Sequence, residues 1–281
     1  MIKANLHSHS EFCDGKAPME EMVKSAIAKG FSILGISSHA PVAIENNFAI
    51  SDEEQLQKYC DEVQRLRQKY ISHIEIHLSL EIDYIPGITK DFSDFSNPYG
   101  LDYTIGSVHL VQNKLPGNLW FIDGPDAGVY DRGLQDNFGG DIRKAVKSYY
   151  RQINEMITTQ KPGMIGHIDK IKMHNKGRYF SEDESWYKKL VEETLEYVKA
   201  NNCILEVNTR GIYKGRSESL FPGVAVLKEA LKKRIPISLN SDAHKPEDMD
   251  GYYPEAMRTL QDIGFKEMYY FTNGEWRAFT F

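Results

Sequence analysis

Residues 31–40 read FSILGISSHA: an apolar run through Ile33, Leu34 and Ile36 that turns polar at Ser37, Ser38 and His39. A short apolar run of this kind suits a strand buried on both faces, as in parallel sheets. The same form recurs at 74–83 (IEIHLSLEID), 102–110 (DYTIGSVHL), 163–169 (GMIGHID), 203–208 (CILEVN) and 235–244 (IPISLNSDAH). Helical patterns lie between these runs. Pro18 suits a first helical position, Met19, Met22, Val23, Ala26 and Ile27 keep helical spacing, and Gly30 ends the run. Ser51 with Glu54 reads as a capping box ahead of Leu56, Tyr59, Val63, Leu66 and Tyr70. Ser181 with Glu184 reads as another, ahead of Leu190, Val191, Leu195 and Val198. Regular alternation of strand and helix predicts a parallel sheet covered by helices. Residues 112–140 break the rhythm and read as a long inserted loop within a single domain, 1–281.

Bulk properties narrow the function. The chain has 281 residues, 41% hydrophobic and 26% charged, as in a soluble globular enzyme. A formal charge of −6 argues against a broad nucleic-acid footprint. No apolar run approaches the ~18 residues needed to cross a membrane, so no membrane partner is expected. The first residues carry no signal-peptide core, and the expected compartment is the cytoplasm. Cys13, Cys60 and Cys203 form no CxxC and are expected as free thiols.

The chemistry lies where the strands end. His7 and His9 close the first strand, within 5–15 (NLHSHSEFCDG), and Asp14 follows in the first loop. His39 ends the second strand, Glu81 the third, His109 the fourth and His167 the fifth. Asp242 and His244 follow the last clear core strand. In a closed parallel barrel all these ends converge on one mouth. Residues two apart on a strand share a face, ~6.5 Å apart along it, so each HxH or DxH pair presents two donors to one cavity. A lone histidine is usually a hydrogen-bonding residue, and His73, His77 and His174 are read that way. Six histidines and three carboxylates at one rim are read as a metal site suited to zinc, iron or manganese. Neither a GxSxG elbow nor a Walker A loop competes with it.

In order, HSH, Asp14, SSHA, LEID, GSVH, GHID and SDAH resemble the motifs of the PHP (polymerase and histidinol phosphatase) family of metal-dependent phosphoesterases. The resemblance spans nearly the whole chain. It implies a distorted (β/α)7 barrel with the metal site at the C-terminal ends of its strands. It also implies a division of ligands. His7, His9, Glu81 and Asp242 would bind a first ion. Glu81 would bridge to a second, with His109 and His167. Asp14, His39 and His244 would bind a third. Some family members have histidine where Asp14 stands, so this position is a variation. Three divalent ions, zinc first and iron or manganese as alternatives, against three carboxylates leave the pocket at about +3, which suits a phosphate dianion.

GSVHLV, EVNTRG and the chain length resemble the branch acting on L-histidinol phosphate. That implies an EC 3.1.3.15 phosphatase releasing L-histidinol and phosphate in histidine biosynthesis, with Asp242 or His244 moving the proton. Arg210, at the mouth after ILEVN, is the first candidate for the phosphate, with Arg178 and Arg216 behind it. Trp120, with Phe121, Asp123, Asp126 and Tyr130, is expected to read the imidazole end, and Glu45 and Asn46 the ammonium. Another phosphomonoester or a nucleotide is the alternative substrate. A metal-dependent amidohydrolase is disfavoured, because Glu81 stands where such enzymes carry a carbamylated lysine. A non-catalytic metal module remains open, as does a homodimer.

Overall fold

The computed structural model describes residues 2–113 and 119–281. Elements follow in the order β1 (Ala4–Asn5), α1 (Met19–Ala28), β2 (Ile33–Ile36), α2 (Glu53–Lys69), β3 (Glu75–Asp83), α3 (Ser93–Tyr99) and β4 (Tyr103–Ser107). Then come β5 (Leu110–Gln112), β6 (Leu119–Phe121), α4 (Ala127–Phe138), α5 (Ile142–Gln160), β7 (Met164–Ile165) and α6 (Ser185–Ala200). The chain ends with β8 (Ile204–Asn208), α7 (Arg210–Tyr213), α8 (Val224–Lys233), β9 (Ile237–Asn240), α9 (Tyr253–Ile263), β10 (Glu267–Thr272) and β11 (Glu275–Thr280).

Among the described residues, seven strands form one sheet in the order β1-β2-β3-β4-β7-β8-β9, every neighbouring pair parallel. The two ends of the sheet meet through a parallel bridge, Ser8 to Ala243, with His9 N–H donating to Ala243 O at 2.8 Å. The result is the distorted (β/α)7 barrel, nearly closed. Its strands are buried on both faces because helices cover the outside, and this is why they read as unbroken apolar runs. The barrel is narrow. Tyr103 crosses it to donate its hydroxyl to Leu6 O at 2.6 Å, and a Cβ on Gly35 would stand 1.8 Å from that hydroxyl. The lower end is covered by the antiparallel β10–β11 ribbon, whose Phe271 lies 5.2 Å from the His77 ring.

Two local expectations shift. Ser51 is not the cap of α2: Asp52 is, its carboxylate accepting from Gln55 N at 2.9 Å, while Ser51 donates to Asp52. Ser181 and Glu184 make half of their box, Glu184 Oε1 accepting from Ser181 N at 3.0 Å, but the helix proper starts at Ser185. The described part of the inserted stretch holds regular elements rather than an irregular loop. Residues 114–118 lie outside the described residues; around them β5 pairs antiparallel with β6, and α4 follows. Asp126 caps α4 by accepting from Gly128 N at 2.8 Å. Cys13, Cys60 and Cys203 are free thiols. Among the described residues no helix is long and apolar enough to cross a membrane.

Candidate metal centre

The strand ends bring all nine predicted ligands together. His7 and His9 follow β1 in extended chain, and their Nε2 atoms lie 3.2 Å apart. His7 Nε2 is 3.2 Å from Glu81 Oε2, and His9 Nε2 is 3.3 Å from Asp242 Oδ1. His7, His9 and Asp242 form one donor group close enough to share a cation, with Glu81 Oε2 beside the two histidines at 3.2 and 3.5 Å. The other oxygen of Glu81 faces a different pair: Oε1 is 3.0 Å from His167 Nε2, which is 3.0 Å from His109 Nε2. One carboxylate thus addresses two donor sets. A third set gathers at Asp14 Oδ1, which is 3.0 Å from His244 Nε2, 3.8 Å from His9 Nδ1 and 3.9 Å from His39 Nε2. His9 therefore stands between the first and third sets.

The donor chemistry fits metal ions. Two imidazole nitrogens 3.0–3.2 Å apart share at most one proton, and the lone pairs otherwise repel unless a cation lies between them. Among the described residues, buried His39 Nδ1 and Asp83 Oδ2 have no hydrogen-bond partner. Asp242 sits at φ +53°, a left-handed conformation uncommon outside glycine and typical of constrained functional positions. Electrostatics point the same way. Burial would raise the Glu81 and Asp242 carboxyls, but the surrounding imidazoles, with Arg210 beside Asp242, hold both well below the usual range. Burial would lower His109, yet Asp83 and Glu81 push it up to about 9. Burial and the neighbouring His244 hold His9 well below its usual value.

Two carboxylates that sequence reasoning did not select orient these ligands. Glu206, on β8 and fully buried, accepts from His7 Nδ1 at 2.6 Å and from His167 N at 2.8 Å. Asn208 and Asn240 also donate to it, at 3.2 and 3.3 Å. Asp83, two residues beyond Glu81, lies 2.8 Å from His109 Nδ1. A carboxylate on Nδ1 fixes the tautomer that leaves Nε2 free to bind a metal. The available signal was a charged residue inside an apolar strand (LEVN, LEID), which must be satisfied by partners.

Above the ligands opens a cavity of about 440 Å³ lined in part by Glu81, His109, Asp242, His244, Lys170 and Arg210. Arg210 donates to Asp242 O at 2.8 Å, and its Nη1 lies 2.5 Å from His244 Nδ1. Arg216, Phe121 and Asp123 line the cavity as well. Five expectations are corrected, for Trp120, Tyr130, Arg178, Glu45 and Asn46. Trp120 is fully buried, its indole donating to Tyr130 O at 2.9 Å and its ring packed where a Cβ on Gly133 would sit, so it is core. Tyr130 likewise turns inward and donates to Ile171 O at 3.0 Å. Arg178 is exposed and held by both oxygens of Asp131, at 2.8 and 2.9 Å, outside this cavity. Glu45 is exposed and also outside it, while Asn46 accepts from Phe48 N and Ala49 N in a local turn. That turn presents Phe48 to the cavity. Phe48 packs edge-on to His39 and lies nearly parallel to Phe121, 6.4 Å between centroids. His174 donates to Gly124 O at 3.0 Å and stays outside.

The sequence matches the PHP domain over residues 5–210. It is 27% identical over 270 residues to a histidinol-phosphatase of Bacillus subtilis, covering 91% of this chain and 98% of that protein. The fold is similar to that of the Listeria monocytogenes histidinol phosphatase hisK (TM-score 0.78, 26% identity, 90% of this chain and 99% of that one). It is also similar to histidinol phosphate phosphatase from Lactococcus lactis, solved with zinc, L-histidinol and phosphate (TM-score 0.68, 18% identity, 98% of each chain).

Proposed function

The chain belongs to the PHP domain family, and within that family we propose that it hydrolyses L-histidinol phosphate to L-histidinol and phosphate. The observation that carries the chemistry is Glu81, whose two oxygens face two separate histidine sets at the floor of an open cavity. Similarity along the full length of a histidinol-phosphatase supports the substrate.

His7, His9, Glu81 and Asp242 would hold one ion, Glu81, His109 and His167 a second, and Asp14, His39 and His244 a third. The imidazole-rich donors suit zinc, with iron or manganese as alternatives. When bound, divalent ions there would polarise the phosphoryl group and make water acidic enough to attack near neutral pH. The protein's own groups do the rest. Arg210, anchored by its bond to Asp242 O, turns its remaining N–H groups to phosphate oxygens. Arg216 adds positive charge at the rim. Asp242 takes the proton of the attacking water. His244 lies between Arg210, near Nδ1, and Asp14, facing Nε2. Phe48 and Phe121 offer flat faces to the imidazole of the substrate. This reading takes a small molecule rather than a polynucleotide and places the enzyme in the cytoplasm.

The test is phosphate release from a panel of metabolites by protein reconstituted with one metal at a time. L-histidinol phosphate should give the highest kcat/KM, and chelation should abolish turnover. A kcat/KM no higher than for sugar phosphates or nucleotides would sink the substrate and leave a metal phosphoesterase.

A further inference from the structure

Expulsion of an alkoxide needs a proton, and none of the groups discussed so far supplies it. Asp242 serves the attacking water, which in an in-line displacement lies opposite the leaving oxygen, and the two ring nitrogens of His244 face Arg210 and Asp14. Lys170 remains. It lies in the turn that leaves β7, its N–H donating to His167 O at 2.9 Å, so it follows a predicted ligand by a fixed turn of backbone. The side chain is 3% exposed and lines the cavity beside Glu81, His109, Asp242 and Arg210. Among the described residues its one ionic partner is Asp123 Oδ2 at 2.9 Å. Asp123 is itself flanked by Arg216 at 3.8 Å and His109 at 3.8 Å. An ammonium has three hydrogens, and burying it with one ionic partner at the wall of an open cavity leaves donors facing the space a substrate would enter.

We propose that Lys170, positioned by Asp123, contacts the ester oxygen of the substrate and donates the proton that lets the alcohol leave. The step balances. Oxygen of the attacking water bonds to phosphorus and one of its protons passes to Asp242 and solvent. The P–O ester bond breaks with its electron pair on the leaving oxygen, which takes a proton from Lys170 Nζ. The neutral amine then regains a proton from solvent. Arg210 and Lys170 would so divide the work, the first on the nonbridging oxygens and the second on the bridging one. Lys170 was not visible as such in GHIDK, where a lysine after a turn reads as a solvated surface charge.

The proposal rests on the phosphomonoesterase reading, and leaving groups separate the two. An alkoxide requires protonation, whereas p-nitrophenolate departs without it. In metal-loaded protein, Lys170→Met should lower kcat for L-histidinol phosphate by ~10²- to 10³-fold and for p-nitrophenyl phosphate by less than ~10-fold. Lys170→Arg keeps the charge but has no proton to release at neutral pH, so it should show the same split. Equal losses on both esters, or recovery of the alkyl ester by arginine, would overturn the role of Lys170. The double variant Lys170→Met/Asp123→Asn removes the stranded carboxylate should the single one fold poorly. The unsubstituted enzyme gives an independent check: across aryl and alkyl phosphates its kcat should depend only weakly on leaving-group basicity, and a steep dependence overturns the proposal. No turnover of either ester by the metal-loaded native protein overturns the parent reading instead.

Discussion

Glu206→Gln is the substitution that most directly tests how the metal centre is organised. Glutamine has nearly the same volume, so no cavity opens in the barrel. What changes is the pattern of donors. The carboxylate accepts from His7 Nδ1 at 2.6 Å and from His167 N, Asn208 and Asn240 at 2.8, 3.2 and 3.3 Å. An amide has one oxygen. Its NH2 would have to face either the His7 ring N–H or the His167 backbone N–H, a donor against a donor. If His7 yields, its proton moves to Nε2 and the lone pair aimed at the metal is lost. If His167 yields, the end of β7 shifts. Loss of such an outer partner weakens metal affinity by ~10- to 100-fold, or ~1.4–2.7 kcal/mol. Competition with a graded chelator, followed by elemental analysis, should show one ion leaving the variant before the others. The melting temperature of metal-free protein serves as the control. An unchanged order and strength of binding in a folded variant would refute the reasoning, because it would mean that His7 needs no carboxylate to present Nε2.

Arg210→Lys keeps a positive charge but loses the planar fork, so KM for the phosphate ester should rise ~10-fold or more with metal content near normal. Unchanged kinetics, measured alongside metal content, would remove Arg210 from the phosphate site. Trp120→Ala should lower stability by ~3–5 kcal/mol in denaturant unfolding, since a fully buried indole and its bond to Tyr130 O are lost together. Per folded molecule its preference for L-histidinol phosphate over p-nitrophenyl phosphate should stay as in the native protein, and a selective loss would return Trp120 to the site.

The ligand set was legible because barrel geometry and metal chemistry impose the same thing on sequence. A strand buried on both faces must be apolar, so a histidine or carboxylate at its end stands out, and the parallel order carries every such end to one mouth. FSILGISSHA thus announces both the strand and His39. Asp14 lies in a loop, yet its place after HSH put it beside His244. Aromatic and charged residues in the inserted stretch were harder to read. Trp120, Phe121 and Asp123 alternate along one ribbon, and alternation alone does not say which face is turned to the core. Gly133 decides it by leaving room on α4 for the Trp120 ring, which sends Phe121 and Asp123 to the cavity. Arg178 was misjudged for the reverse reason: its partner Asp131 sits 47 residues away in sequence. The same distance hid the Asp123–Lys170 pair, which joins the ribbon to the turn after β7. Charges buried by long-range pairing look in sequence like surface charges. A test of that pair therefore probes the part of the site that only the fold assembles.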